Sequence, residues 1–174
     1  CALPISEYYR NYIDVDVVMI PVTPMDKHGF FNFGPQVSHT MAMCEAAKKI
    51  ILEVNSNIPR CLGQEEAIHI SKVDYIVEAD YPLAEIPAAR PNEIDKKIAS
   101  IVIEQLEDGC CLQLGIGSMP NAVGDLIANS DLKDLGIHTE MFVDSMVDMV
   151  EKGRITGAKK NIDKRSEERR VGKE

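Results

Sequence analysis

Short runs rich in Val and Ile alternate along this chain with segments of helical period, and that alternation constrains the fold more than any other feature. Residues 13–20 (Ile-Asp-Val-Asp-Val-Val-Met-Ile) read as a strand, because β-branched side chains fit a pleated surface. Ser38 is placed to cap a helix over 39–49, and 50–55 read as the next strand. Pro91 opens a helix in which Ile94, Ile98, Ile101, Val102 and Leu106 share one face, and Gly109 ends it. Residues 110–114 read as a short buried strand, and a glycine turn over 115–119 follows. Pro120 then sits in the first turn of a helix, where its missing N–H costs nothing. That helix is expected to bury Ala122, Val123, Leu126 and Ile127. Residues 136–141 read as another strand. A helix over 144–152 turns Val143, Met146, Val147 and Val150 inward, and Gly153 closes it. Strands alternating with helices predict an α/β fold of open, mostly parallel sheets with flanking helices.

Two stretches break the pattern. Residues 21–35 form a Pro/Gly loop longer than a simple turn, with His28-Gly29 at a turn tip. Residues 56–90 read as irregular, interrupted by Pro59, Pro82 and Pro87. The expected domain boundary is 87–91, separating 6–86 from 92–164. Residues 1–5 and 165–174 resemble translated sequencing-adapter DNA and are expected to be foreign to the protein.

Charge and composition exclude several classes of function. The net charge is −9, with no basic patch outside the extreme C-terminus, so nucleic acid is a poor partner. No apolar run is long enough for a membrane-spanning helix, and the start lacks the basic-then-apolar pattern of a signal peptide. Cys1, Cys44, Cys61, Cys110 and Cys111 match no zinc or redox spacing and read as buried thiols of a reduced, cytoplasmic protein. The adjacent pair Cys110-Cys111 is expected to point to opposite faces of a strand, for packing and not for a disulfide. His28, His39, His69 and His138 are scattered without metal-ligand spacing, and no metal is expected.

Two segments carry candidate chemistry. Gly115, Ile116, Gly117, Ser118 and Met119 join a strand to a helix start, where free N–H groups suit an oxyanion or a phosphate. A plain strand-to-helix turn explains the same residues, and a dinucleotide fingerprint fails because Pro120 stands at its third glycine position. In Gly136-Ile-His-Thr-Glu-Met141, strand alternation puts His138 and Glu140 on one face. A carboxylate there can attack an acyl carbon, though by residue type alone such a glutamate is more often a solvated strand-end acid.

These two motifs in this order, Gly-Ile-Gly-Ser-Met-Pro-Asn-Ala-Val (115–123) and Gly-Ile-His-Thr-Glu-Met (136–141), resemble the acetyl-CoA hydrolase/transferase family. The likeness runs across nearly all of 13–164 and includes 21–29, 53–55, 69–74 and the segment Gly-Ala-Lys-Lys-Asn-Ile-Asp (157–163). The resemblance implies two similar open α/β domains with the active site between them, this chain holding the end of one and the start of the next. It implies that Glu140 is the covalent nucleophile and that Gly115 to Met119 contact CoA. The reaction implied moves CoA from a short-chain acyl-CoA, such as butyryl-CoA or 4-hydroxybutyryl-CoA, to acetate in butyrate-forming fermentation. It runs by a ping-pong route through a glutamyl-CoA thioester. Acyl-CoA and a short-chain carboxylate are the expected partners, CoA enters as substrate without a prosthetic group, and the full-length protein is expected to be a homo-oligomer. The rival readings are an acyl-CoA hydrolase on the same fold and a Rossmann-type nucleotide-binding module. This segment alone is expected to be inactive.

Overall fold

The computed structural model describes residues 5–63, 65–139 and 141–161. The chain divides into two compact units, Cys1–Glu85 and Ile86–Glu174.

The first unit begins with helix α1 (Ile5–Tyr12) and strand β1 (Val15–Val22). A short strand β2 (Phe30–Asn32), helix α2 (Thr40–Ala46) and strand β3 (Ala47–Asn55) follow, then β4 (Ala67–His69) and β5 (Tyr75–Ala79). Strands β1, β3 and β5 form a parallel sheet with β3 in the centre, and β2 pairs antiparallel with β4. Pro21 lies within β1, which is tolerable because β1 is an edge strand. Alternation buries Val18, Ile20 and Val22 against Phe31, Leu52 and Ile68. The opposite face of β1 stays open, with Met19 76% exposed.

Several expectations are corrected here. The helix expected over 39–49 stops at Ala46, and Ala47, Lys48 and Lys49 join the central strand. Sheet pairing outweighs their helix propensity: Ala47 pairs with Val15 and Lys49 with Val17 of β1, and Lys48 and Lys49 also meet Asp16 and Asp74 at the surface, each at 2.6 Å. Ser38 does not cap the helix; His39 occupies that position without a side-chain bond. The stretch 56–90, expected to be irregular, contains β4 and β5, whose partners β2 and β3 are distant in sequence. Two buried asparagines secure the connections. Asn32 Oδ1 accepts from the N–H groups of Gly34 and Cys61, and Asn55 Nδ2 donates to the Tyr81 carbonyl.

The second unit holds helix α3 (Glu93–Ile103), strand β6 (Cys111–Leu112), helix α4 (Ser118–Ala128), strand β7 (Gly136–Ile137) and helix α5 (Asp144–Glu151). Asn92 and Asp95 form a reciprocal capping box that starts α3. The helix ends at Ile103, several residues before Gly109. Its isoleucine stripe does not face the core: Ile94 is 69% and Ile101 63% exposed. The side carrying Asp95, Ala99, Val102 and Leu106 turns inward instead, because the small Ala99 lets α3 approach the core closely. Helix α4 buries Ala122, Val123, Gly124, Ile127 and Ala128, while Leu126 remains exposed. Helix α5 buries Met146 and Met149 and leaves Val147 outward.

Candidate active site

Strands β6 and β7 lie side by side and parallel, with Cys111 opposite Gly136 and Leu112 opposite Ile137. Both run towards the same edge, so the glycine turn and the His138-Thr139 segment leave the sheet there together, though 20 or so residues separate them along the chain. The carboxyl edge of parallel strands is where α/β folds place their ligands. Helices α4 and α5 both start just past that edge, at Ser118 and Asp144.

The glycine turn owes its composition to backbone geometry. Gly117 caps α4 at φ 137° and ψ 173°, a conformation that side-chain-bearing residues rarely adopt. Space is not the constraint: a Cβ at Gly117 would meet only Pro120 Cδ, at 3.7 Å, and one at Gly115 would meet nothing within 4 Å. Gly115 and Met119 are exposed, Ile116 is 57% exposed, and Gly117 and Ser118 are half-buried. Among the described residues no acceptor takes the backbone N–H groups of Gly115 to Met119. The Asn121 N–H donates back to the Gly117 carbonyl, which sets the first helical turn. Free N–H groups at the start of an 11-residue helix are equipped to hold an anionic oxygen.

Strand β7 is shorter than the sequence suggests. It covers Gly136–Ile137 and not 136–141. The His138 N–H still donates to the Leu112 carbonyl at 3.0 Å, after which β6 has already turned into the glycine loop and offers no further partner. The Thr139 hydroxyl donates to the Met141 carbonyl at 3.0 Å. His138 is exposed. Glu140, the acid singled out by the sequence, lies outside the described residues.

Sequence reasoning missed two residues around this edge. The chain returns from α5 alongside the start of β7, where the Leu135 N–H donates to the Arg154 carbonyl and the Thr156 N–H to the Leu135 carbonyl. This brings Lys160 to the end of β7, where it is buried and its Nζ donates to the Ile137 carbonyl at 2.7 Å. No periodic signal marks a lysine in so short a loop. The second is Gly124 on α4: a Cβ there would lie 2.1 Å from Ser145 Oγ and 2.5 Å from Ser145 Cβ. Helices α4 and α5 therefore meet through a glycine, and the buried Ser145 hydroxyl has no hydrogen-bond partner among the described residues.

The cysteines correct another expectation. Cys44 is buried, and burial pushes its thiol up to about 11, which makes it inert at neutral pH. Cys61 and Cys110 are half-buried and Cys111 is exposed, so they are not uniformly core thiols. Among the described residues no group of His, Cys, Asp and Glu is arranged to hold a metal ion. No helix among them is long and apolar enough to cross a membrane. His69 ends β4 with its ring against Phe30, and His39 lies in the bend before α2, stacked on Tyr9.

In the first unit, the turn before β2 is organised by Asp26. Its carboxylate accepts from the N–H groups of Phe30 and His28, both at 2.9 Å, and lies near Arg60. The backbone bond from Phe30 leads the effects that hold this carboxyl below the usual carboxylate range.

Comparison with known proteins agrees with this arrangement. Residues 3–87 match the model of the acetyl-CoA hydrolase/transferase N-terminal domain. The butyryl-CoA:acetate CoA-transferase of Anaerostipes caccae is 60% identical over 161 residues, covering 90% of this chain and 36% of that protein. The 4-hydroxybutyrate coenzyme A transferase of Clostridium kluyveri is 42% identical over 157 residues, covering 90% of this chain and 36% of that protein. The crystal structure of a 4-hydroxybutyrate CoA-transferase from Porphyromonas gingivalis superposes with a TM-score of 0.83 at 36% identity, over 91% of this chain and 40% of that one. The chain thus spans a little over a third of the length of the curated relatives it matches. Its α/β fold of mostly parallel sheets is the one that structure carries. The chain belongs to the acetyl-CoA hydrolase/transferase family.

Proposed function

We propose that the protein from which this chain comes is a CoA-transferase that moves CoA from a short-chain acyl-CoA to a carboxylate such as acetate. The observation that carries this reading is the shared edge of β6 and β7, where a helix start with free N–H groups stands beside the segment leading to Glu140. In the proposed route a Glu140 oxygen bonds to the acyl carbon and the C–S bond breaks, releasing CoA as thiolate. The thiolate then attacks the glutamyl carbonyl and expels the first acid as its carboxylate, leaving a glutamyl-CoA thioester. The acceptor carboxylate reverses both steps. Each addition develops an oxyanion, and one well-placed N–H donor is worth about 3 kcal/mol to such a transition state. The free N–H groups of Gly115 to Met119 are the donors we assign to CoA or to that oxyanion.

The proposed division of the chain places 6–86 at the end of one CoA-transferase domain and 92–164 at the start of the next. The remaining length of a full-length relative would then supply the rest of the cleft, and the segment alone would be inactive. The test uses a full-length transferase containing this segment, incubated with butyryl-CoA alone. Mass analysis of the peptide holding His138 to Met141 should show Glu140 reduced to an alcohol after borohydride treatment. Glu140→Gln should abolish this label and lower turnover by about a thousandfold or more, as loss of a nucleophile does. Labelling of another residue would overturn the assignment, and CoA release without any acceptor acid would make the enzyme a hydrolase.

A further inference from the structure

Asn121 belongs to the Gly-Ile-Gly-Ser-Met-Pro-Asn-Ala-Val motif, yet it lies past the glycine turn and the proposed chemistry leaves it without a task. Its two nitrogens make two different bonds. The backbone N–H donates to the Gly117 carbonyl at 3.1 Å and closes the first turn of α4. The side-chain amide leaves the helix and donates to the Ala89 carbonyl at 3.0 Å, 32 residues earlier in the chain. Asparagines inside helices mostly face solvent or compete for nearby backbone groups. This one reaches another segment.

Ala89 lies in the stretch that leads from the first unit into α3. Residues 81–90 are all exposed and form neither helix nor strand. Among the described residues, none of 82–88 makes a hydrogen bond, so Asn121 supplies the tether of this stretch before the Asn92–Asp95 capping box starts α3. The bond braces the start of α4 against the chain entering α3. The glycine turn has little else to hold it. Among the described residues, 115–117 make one backbone hydrogen bond, the one that the Gly117 carbonyl accepts from Asn121. The geometry of the turn then depends on where its two ends are held, by β6 on one side and by the first turn of α4 on the other. We propose that Asn121 is a positioning residue: by holding the Ala89 carbonyl it fixes the first turn of α4, and with it the free N–H groups that receive CoA. The inference rests on the reading of the glycine turn as the CoA contact.

Two variants of the full-length transferase test this. Asn121→Ala removes the amide and raises the helix propensity, so α4 itself is not weakened. Asn121→Gln keeps a side-chain amide with the reach to restore the bond. Both should fold, as judged by thermal melting. Asn121→Ala should raise the KM for butyryl-CoA about fivefold, the effect of losing one neutral hydrogen bond, and leave the KM for acetate unchanged, because acetate carries no CoA. Asn121→Gln should bring the KM for butyryl-CoA back towards the wild-type value. A wild-type KM for butyryl-CoA in Asn121→Ala would overturn the proposal, whether or not the melting temperature falls, since the bond would then be a structural tether only. An Asn121→Gln enzyme as impaired as Asn121→Ala would do the same. If Asn121→Ala fails to fold, Asn121→Ser, with a donor one bond too short for Ala89, takes its place. If Gly117→Val also leaves butyryl-CoA turnover untouched, the turn does not hold CoA, and that reading and this inference fall together. An impaired Gly117→Val beside an unaltered Asn121→Ala removes this inference alone.

Discussion

The two units of the chain reach a buried core by different means. In the first, a three-stranded parallel sheet lays one face against Phe31, Phe33 and the underside of α2, and polar side chains tie the long connections: Asn32, Asn55 and Asp26 each bind backbone several residues away. In the second, the strands are two residues long, and three helices close around them through small residues, Ala99, Ala122, Gly124 and Ala128. The first unit is held by a ladder and by loops. The second is held by close helix contact, which leaves little room for added atoms. The family model covers the first unit, while the residues assigned to chemistry lie in the second.

The comparison can be broken most directly at Gly124. Alanine there would drive a Cβ to 2.1 Å from Ser145 Oγ, and overpacking of this kind costs about 3 kcal/mol. Chemical denaturation of the chain should show the second unit unfolding at lower denaturant while the first keeps its midpoint. Adding Ser145→Gly should recover much of the loss by removing both clashing atoms. Equal weakening of the two units would mean that they do not bury their cores independently.

Gly117→Val sharpens the contrast inside the second unit. Here an added Cβ is not crowded, but a valine cannot hold φ 137° without strain, so the turn must change shape. In a full-length transferase kcat/KM for butyryl-CoA should fall about a hundredfold, as misplacement by about 1 Å does. The melting temperature should move less than for Gly124→Ala. Wild-type kinetics in a folded Gly117→Val enzyme would detach the turn from catalysis.

The smallest effect is expected at Asp26 in the first unit. Its carboxyl is held below the usual range by N–H groups that favour the charged form. The carboxylate therefore stabilises the folded state above a pH of about 4, and this contribution is lost as pH falls through the folded value. Asp26→Ala should lower the melting temperature of the first unit slightly at neutral pH and not at all in strong acid. A difference that persisted in acid would show that the side chain acts through packing and not through charge.

Much of the architecture was legible in the order of residues. The Val/Ile runs around β1 and β3 and the proline just before α3 are local, and local patterns survive folding. Pro120 marked the start of α4 within two residues for the same reason. The glycine turn was visible because a backbone at positive φ requires a residue without Cβ. The sequence did not disclose which face of a helix turns inward. The isoleucines of α3 satisfy the helical period as well as Ala99 does, yet close approach selects the smaller residue. It did not disclose β4 or β5, whose stability comes from partners distant along the chain. Nor did it set Lys160 apart from Lys159 beside it. Adjacent lysines look alike as letters, and only the return of the chain along β7 buries one against the Ile137 carbonyl while the other pairs with Asp134 at the surface. Local chemistry determined where elements begin and end. Burial depends on what the rest of the chain brings alongside, so only the tertiary structure decided which side chains form the core and which gather at the edge of β6 and β7.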